Sequence, residues 1–332
     1  MQAEVSTQTR MRVADQAGIA DAAACLCAGR LVGFPTETVY GLGADATNGE
    51  AIARLYTAKG RPAFNPLIAH VASIEAARVL GRFDAAAERL AAEFWPGPLT
   101  LVVPKAPTCP VSELATAGLD TIAIRVPSHP VALALLQACG QPIAAPSANR
   151  SGHVSPTLAA HVRADLHGRI DLILDGGPTE VGVESTIVSC LGGTPRLLRS
   201  GGITRETIES VLGRALDLEE DMPASDKDLP LAPGMLASHY APRTQLRLDA
   251  ETVAPREALL AFGPALPKGF ENALAIATLS RSGDLVEAAA QLFMQLRLLD
   301  TIGADQIAVM PIPSEGLGEA INDRLRRAAA PR

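Results

Sequence analysis

Short apolar runs of strand length recur along the first two thirds of the chain: 31–34, 67–71, 99–103, 122–126, 172–175 and 186–189. Between them the apolar residues fall at helical spacing. Ile52, Leu55 and Tyr56 mark one face of a helix that Asn48 would cap, and Leu90 and Phe94 mark another that Pro96 would stop. Strands alternating with such helices predict an α/β fold. The texture then changes: the segment LEEDMPASDKDLPLAPGMLASHYAP is acidic, rich in proline and without period, as linkers are. Beyond it ALLAFG, LAIATLS and IAVMPIP read as strands, and a helix over 284–300 would place Leu285, Ala289, Leu292, Leu296 and Leu299 on one side. The pattern therefore divides into a first domain over 1–216, a linker over 217–243 and a small α/β domain over 244–332.

Composition narrows this picture. With 332 residues, 48% of them hydrophobic, the chain can bury two cores, and 25 prolines with only 3% aromatics suggest Ala/Val/Leu packing and rigid loops. The formal charge of −7 provides no global positive field. Direct non-specific RNA binding is therefore disfavoured, and an anion site must be a local cluster of Lys and Arg. The five cysteines are scattered and form no CxxC pair, which fits a reduced cytoplasm rather than a disulfide framework or a zinc site. The N-terminal stretch MQAEVSTQTRMRVADQ has no apolar signal core, and no run is long enough to cross a bilayer, so a soluble, cytoplasmic protein is expected.

Several motifs admit more than one reading. GLGADA matches the glycine spacing of a dinucleotide loop, yet six residues, PTETVY, separate it from the preceding strand, and the next strand lacks a following acidic residue. No GxxxxGK[ST] loop exists. In TAKGRPAFNP, Lys59 and Arg61 could straddle a polyphosphate, or could complement a helix C-terminus on a solvated face. In APSANRSG, Ser147 and Asn149 offer an uncharged hydroxyl and amide and Gly152 permits close backbone approach; an ordinary capped turn is the alternative. PTETVYG, Arg125 in IAIRVPSH, VESTI and Arg199 in LLRSGG each put polar groups at or just beyond an apolar strand, where open α/β sheets bind ligands. Arg125 needs a bound anion or a buried acidic partner, and either would serve. His70 reads as a core histidine or a site residue, His239 is ambiguous, and no histidine spacing suggests a metal site. With no GxSxG or Cys/His signature, chemistry here should rest on positioning and charge stabilisation.

In order, FPTETVYGLGADA, KGRP, NPLIAHV, FWPGPLTLVV, IAIRVPSHP, APSANRSG, VESTIV and LLRSGGIT resemble the YrdC-type threonylcarbamoyl-AMP synthases over about 20–215, while PLAPGMLASHYAP and GLGEAINDRLRRAA resemble the longer, two-domain branch of that family. The resemblance implies a YrdC-like twisted, open mixed sheet with flanking helices and a basic concave active site, followed by a smaller Rossmann-like domain. It implies the reaction of L-threonine, bicarbonate or CO2, and ATP to threonylcarbamoyl-adenylate and diphosphate. A partner complex would pass the product to tRNA, so that tRNA is met only indirectly. Carried over residue by residue, Lys59, Arg61, Ser147 and Asn149 are expected at the reacting groups. Asn65, Thr121, Ser155, Arg199 and Tyr240 join Arg61 and Ser147 as ATP contacts, and Thr38, His70, Arg125 and Ser185 surround threonine. Mg2+ is expected to be carried by ATP phosphates rather than by a protein cage, and the linker to fold over the active site. The turn reads LLRSGG where many family members have LLRPGG, which puts its rigidity in doubt. The competing readings are an RNA-binding module, a dinucleotide-dependent hydride-transfer enzyme, and a carbamoyl-adenylate former of the hydrogenase-maturation kind, whose cysteine pairs are absent here.

Overall fold

The alternating pattern folds into two sheets, one large and mixed, one small and parallel. The computed structural model describes residues 8–62, 64–218 and 240–331. Its first unit runs β1 (Arg10–Val13), α1 (Gln16–Cys27), β2 (Val32–Pro35), β3 (Tyr40–Asp45), α2 (Gly49–Lys59), β4 (Ile68–His70), α3 (Ile74–Leu80), α4 (Ala85–Phe94) and β5 (Leu99–Pro104). It continues with β6 (Thr121–Arg125), α5 (Pro130–Cys139), β7 (Ile143–Ala144), α6 (Ala159–Leu166), β8 (Leu172–Asp175), β9 (Thr186–Ser189), β10 (Arg196–Arg199), α7 (Arg205–Leu212) and β11 (Asp217–Leu218). The second unit comprises β12 (Gln245–Arg247), β13 (Glu257–Ala261), β14 (Ile276–Thr278), α8 (Leu285–Leu299), β15 (Gln306–Val309) and α9 (Leu317–Ala329).

Among the described residues the large sheet has eleven strands in the order β1-β8-β2-β3-β7-β4-β6-β5-β9-β10-β11. Parallel pairs such as β4/β6 and β5/β9 sit beside antiparallel ones such as β2/β3 and β5/β6, so the sheet is mixed. GLGADA is not a loop. It forms β3, where a Cβ on Gly43 would lie 3.0 Å from Phe34 and 3.1 Å from Ile143, so the glycines permit close packing rather than cradling a phosphate. The small sheet, β12-β15-β13-β14, is parallel throughout. α8 buries Ala289, Leu292, Leu296 and Leu299 against it, as the spacing predicts.

The first sheet reaches Leu218 through the pairing of β11 with β10, two residues beyond the boundary expected from composition. Positions 219–239, most of the expected linker and His239 with it, lie outside the described residues. The two units share a core. Val39, Val154 and Val183, from three loops of the first unit, are buried with Leu260, Phe293 and Ile307 of the second.

Candidate active site

The loop after β7 is sewn onto β3. Leu42 N donates to the Pro146 carbonyl at 2.7 Å, Ala148 N donates to that of Tyr40 at 2.8 Å, and Gly41 bridges to Ser147. A Cβ at Gly41 would stand 3.2 Å from that of Ala145, so the loop lies as close as it does because glycine is there. From the other side Lys59 Nζ donates to the Ser147 and Asn149 carbonyls at 2.5 and 2.6 Å. Asn149 closes the loop on itself, its amide donating to the Arg150 and His153 carbonyls at 2.8 and 2.9 Å, while its Oδ1 finds no partner among the described residues. Ser147 faces the cleft; Lys59 stands behind it and fixes its carbonyl, and Asn149 fixes the part of the loop that follows.

Arg61 is delivered by the end of α2. Gly60 takes the left-handed conformation (φ 62°), with Gly60 N donating to Thr57 O and Arg61 N to Tyr56 O, so the chain turns away immediately after Lys59. The Arg61 guanidinium donates to the Asn65 and Pro66 carbonyls at 3.3 and 3.0 Å, and its buried Nε has no partner among the described residues. A solvated helix end is excluded for Lys59, which is only 3% exposed. Burial, with Arg61 adding to it, holds the Lys59 ammonium well below its ordinary range. Burial also lowers Arg61 to about 10, leaving it charged at neutral pH. Neither forms an ion pair among the described residues, so Arg61, charged at neutral pH, retains attraction for an anion, and an anion beside Lys59 would favour its protonated form.

Arg125 is treated differently. Its Nη2 lies 2.6 Å from Glu37 Oε1, Nη1 donates to Thr38 Oγ1 at 2.9 Å and Nε to the Gly97 carbonyl at 3.3 Å. The buried acidic partner thus exists, and the remaining N–H on each Nη is still available for a ligand. Burial pushes the Glu37 carboxyl up, but the charge and hydrogen bond of Arg125 outweigh it and hold the group below its usual range. Beside them, burial and then Arg125 lower His70 to about 3, so the imidazole is neutral; its Nδ1 lies 3.1 Å from the Ile68 carbonyl. Thr38 Oγ1 also meets Thr36 Oγ1 at 2.8 Å.

VEST leads into β9, which starts at its Thr186, rather than following a strand end. Because β9 runs antiparallel to β10, Ser185 still meets Arg199: the guanidinium donates to the Ser185 carbonyl at 3.1 and 3.0 Å and to its hydroxyl at 3.2 Å. Thr100 Oγ1 stands 2.7 Å from the same hydroxyl.

These elements enclose a cleft with about 530 Å³ of empty space, part of it open to solvent. Thr38, His70, Arg125 and Ser185 line it together with Arg61, Ser147, Arg199 and Tyr240. Tyr240, buried with φ 62°, stacks on Phe293 of α8 at 5.6 Å, so the second unit supports one wall. Lys59, Asn149 and Asn65 are buried behind the wall, and Ser155, fully buried, donates to Glu184 Oε1 at 2.5 Å. Thr121 does not line the cleft. It begins β6, and the register that pairs Ile68 with Ala123 puts it level with Pro66, at the Arg61 end of the strand that finishes in Arg125. Sequence reasoning missed Glu37, Glu184, which lines the cleft, and Arg324 of α9, 2.9 Å from Glu184 Oε2. The available signal was charge at buried spacing: Arg324 falls on the same helical face as Ile321, Leu325 and Ala328.

The family described as Telomere recombination (Sua5/YciO/YrdC) matches residues 24–201, and the threonylcarbamoyl-AMP synthase C-terminal domain matches residues 203–330. The chain is 45% identical over 327 residues to the threonylcarbamoyl-AMP synthase of Bacillus subtilis, covering 95% of this chain and 93% of the relative. It is 43% identical over 314 residues to that of Pyrococcus abyssi, with 91% of each covered. The crystal structure of P. abyssi Sua5 complexed with L-threonine superposes with a TM-score of 0.85 at 38% identity, over 97% of both chains. A match of this extent across both sheets shows that the chain belongs to the threonylcarbamoyl-AMP synthase family, in its two-domain form.

Proposed function

We propose that the protein condenses L-threonine, bicarbonate or CO2, and ATP into L-threonylcarbamoyl-adenylate and diphosphate, the step that supplies the N6-threonylcarbamoyl group of tRNAs reading ANN codons. The observation that carries this is a single cleft with two unlike ends: Arg61 above the buried Lys59, and Arg125 already paired with Glu37. The first end suits a polyphosphate and the second a zwitterionic amino acid, and the relative solved with L-threonine has the same fold.

The amine of threonine would capture CO2 to give a carbamate, releasing a proton to solvent. A carbamate oxygen then attacks the α-phosphorus of ATP as the bond to the bridging oxygen breaks and diphosphate departs. No protein nucleophile enters. Arg125, with two N–H groups to spare, would hold the α-carboxylate; Thr38, Ser185 and neutral His70 surround the rest of the amino acid. Arg61, Arg199 and Ser147 would hold the phosphates and Tyr240 would wall the nucleotide end, with Lys59 and Asn149 keeping the loop of Ser147 in place; Asn65 and Ser155, buried behind that lining, and Thr121, outside it, would act only through their neighbours.

Mg2+ carried by the nucleotide would supply positive charge against that on the departing diphosphate. Among the described residues no group of three His, Cys, Asp or Glu side chains is placed to hold a metal, and the oxygens of Glu184 are occupied by Ser155 and Arg324. Five free cysteines support a reducing compartment such as the cytoplasm, and among the described residues no helix is long and apolar enough to cross a membrane. A mixed anhydride hydrolyses readily, so the product would pass to a downstream transferase that acts on tRNA.

Diphosphate release with ATP and Mg2+, omitting threonine and bicarbonate in turn, tests this. Release that needs both supports the reading. Release indifferent to threonine, or none, overturns it.

A further inference from the structure

Glu184 places a carboxylate in a cleft whose other charged lining groups, Arg61, Arg125 and Arg199, are cationic. A carboxylate there opposes an incoming polyphosphate. It is held from behind. Ser155 Oγ donates to Oε1 at 2.5 Å, and Arg324 Nε donates to Oε2 at 2.9 Å from a side chain that is 0% exposed. The same guanidinium lies 5.2 Å from the ring centroid of Tyr240 and donates through Nη1 to Asp323 at 2.7 Å. Arg324 is therefore the contact through which α9 of the second unit meets two walls of the cleft.

Stability is a poor reason for this arginine. It occupies an apolar face of α9 between Ile321 and Leu325, its Nη2 lacks a partner among the described residues, and well-packed apolar replacements of buried ion pairs are often neutral or stabilising. We propose that Arg324 is a positioning residue for the nucleotide end of the cleft: it neutralises Glu184 and holds that carboxylate, with Ser155 and Tyr240, away from the incoming phosphates. The second unit thereby acts on the first as a charged brace. The same helix grips a further site loop, since Glu319 accepts from Ser200, next to Arg199, at 2.9 Å and from Arg205.

The inference rests on the reading of the cleft as an ATP and threonine site, and its test separates the two. Binding of Mg-ATP and of L-threonine is measured by calorimetry on the full chain, alongside diphosphate release, for the parent, Arg324→Met, Arg324→Lys and the double variant Arg324→Met/Glu184→Gln. In Arg324→Met the exposed charge of Glu184 should weaken ATP at least about tenfold while threonine changes less than about threefold. The double variant, with no carboxylate left to neutralise, should recover ATP affinity to within about threefold of the parent. Arg324→Lys, which keeps the charge without the fork, should fall between. A merely structural role predicts the opposite: ATP and threonine weaken together, and the double variant is no better than the single. Either result, or an Arg324→Met protein with unchanged ATP affinity, overturns the proposal. Should Arg324→Met not fold, Arg324→Lys against the double variant decides by the same comparison. A parent that binds ATP but releases no diphosphate defeats the reaction and leaves the brace testable by binding; a parent that binds no ATP defeats both.

Discussion

The two ends of the cleft manage buried charge in opposite ways. At one, Arg125 is met by Glu37 at 2.6 Å, and the pair is close to neutral. At the other, Lys59 and Arg61 bond main-chain carbonyls and form no ion pair among the described residues. A carbonyl offers a partial charge where a carboxylate offers a full one, so desolvation there is only partly offset. The fold tolerates this because Lys59 is held by two short bonds and Arg61 by a turn fixed at Gly60. On the function proposed above, the net anion would take the end without a carboxylate partner, and the molecule carrying both charges the end already balanced.

The largest test of that contrast is a double dissociation. Arg61→Gln should reduce diphosphate release per ATP by about 10²–10³-fold, the usual cost of one donor to a charge that shifts in the transition state, with threonine affinity little altered. Arg125→Lys keeps a charge beside Glu37 but loses the fork. It should weaken threonine about 10–100-fold and ATP by less than about threefold. Steady-state kinetics with each substrate varied in turn reads both, and effects that fall equally on the two substrates would dissolve the distinction between the ends.

His70 sharpens the comparison by a smaller amount. Burial and the neighbouring Arg125 lower its pKa from 6.5 to about 3. Between those values the unfolded chain binds a proton that the folded chain does not, so this contribution is complete above pH 6.5 and is lost as pH falls toward 3. At pH 5 the loss should be about 2 kcal/mol relative to neutral pH. His70→Asn removes the titration, and its urea-unfolding stability should fall less than the parent's between pH 7.5 and 5. Equal losses in the two proteins would mean that His70 is protonated in the fold.

Much of this was written in local sequence. The helix from Asn48 to Gly60 carries its cap, its apolar face and its stop, and the strands over 68–70, 99–104 and 121–125 were visible as apolar runs. β3 was obscured because Gly41 and Gly43 satisfy a loop pattern equally well; only the close approach of Phe34, Ile143 and Ala145 decides for a strand. The cationic residues were legible because each sits in a short motif. Their carboxylate partners were not, although Glu37 and Glu184 lie inside the quoted motifs PTETVYG and VESTI, because a glutamate has no local mark of what will face it. Glu184 meets a residue 140 positions away. Pairings of that length are set by how the two sheets dock, which no window of sequence contains.

Ser200 offers the smallest effect and the finest test of the nucleotide end. The departure from LLRPGG gives up a rigid residue, and the structure supplies a hydroxyl that donates to Glu319 at 2.9 Å, tying the turn after Arg199 to α9. One such bond to a charged acceptor contributes about 1–2 kcal/mol. Ser200→Ala should therefore lower stability by no more than that, raise the apparent KM for ATP about two- to fivefold and leave threonine unchanged. Glu319→Gln loses the charge-assisted contact with Arg205 as well, so it should cost more. In a double-mutant cycle, the coupling of Ser200 with Glu319 should be about 1 kcal/mol. Additive single effects would mean that the hydroxyl merely fills space. In that event the hydroxyl would not help to position Arg199, whose bonds to Ser185 stand apart from it.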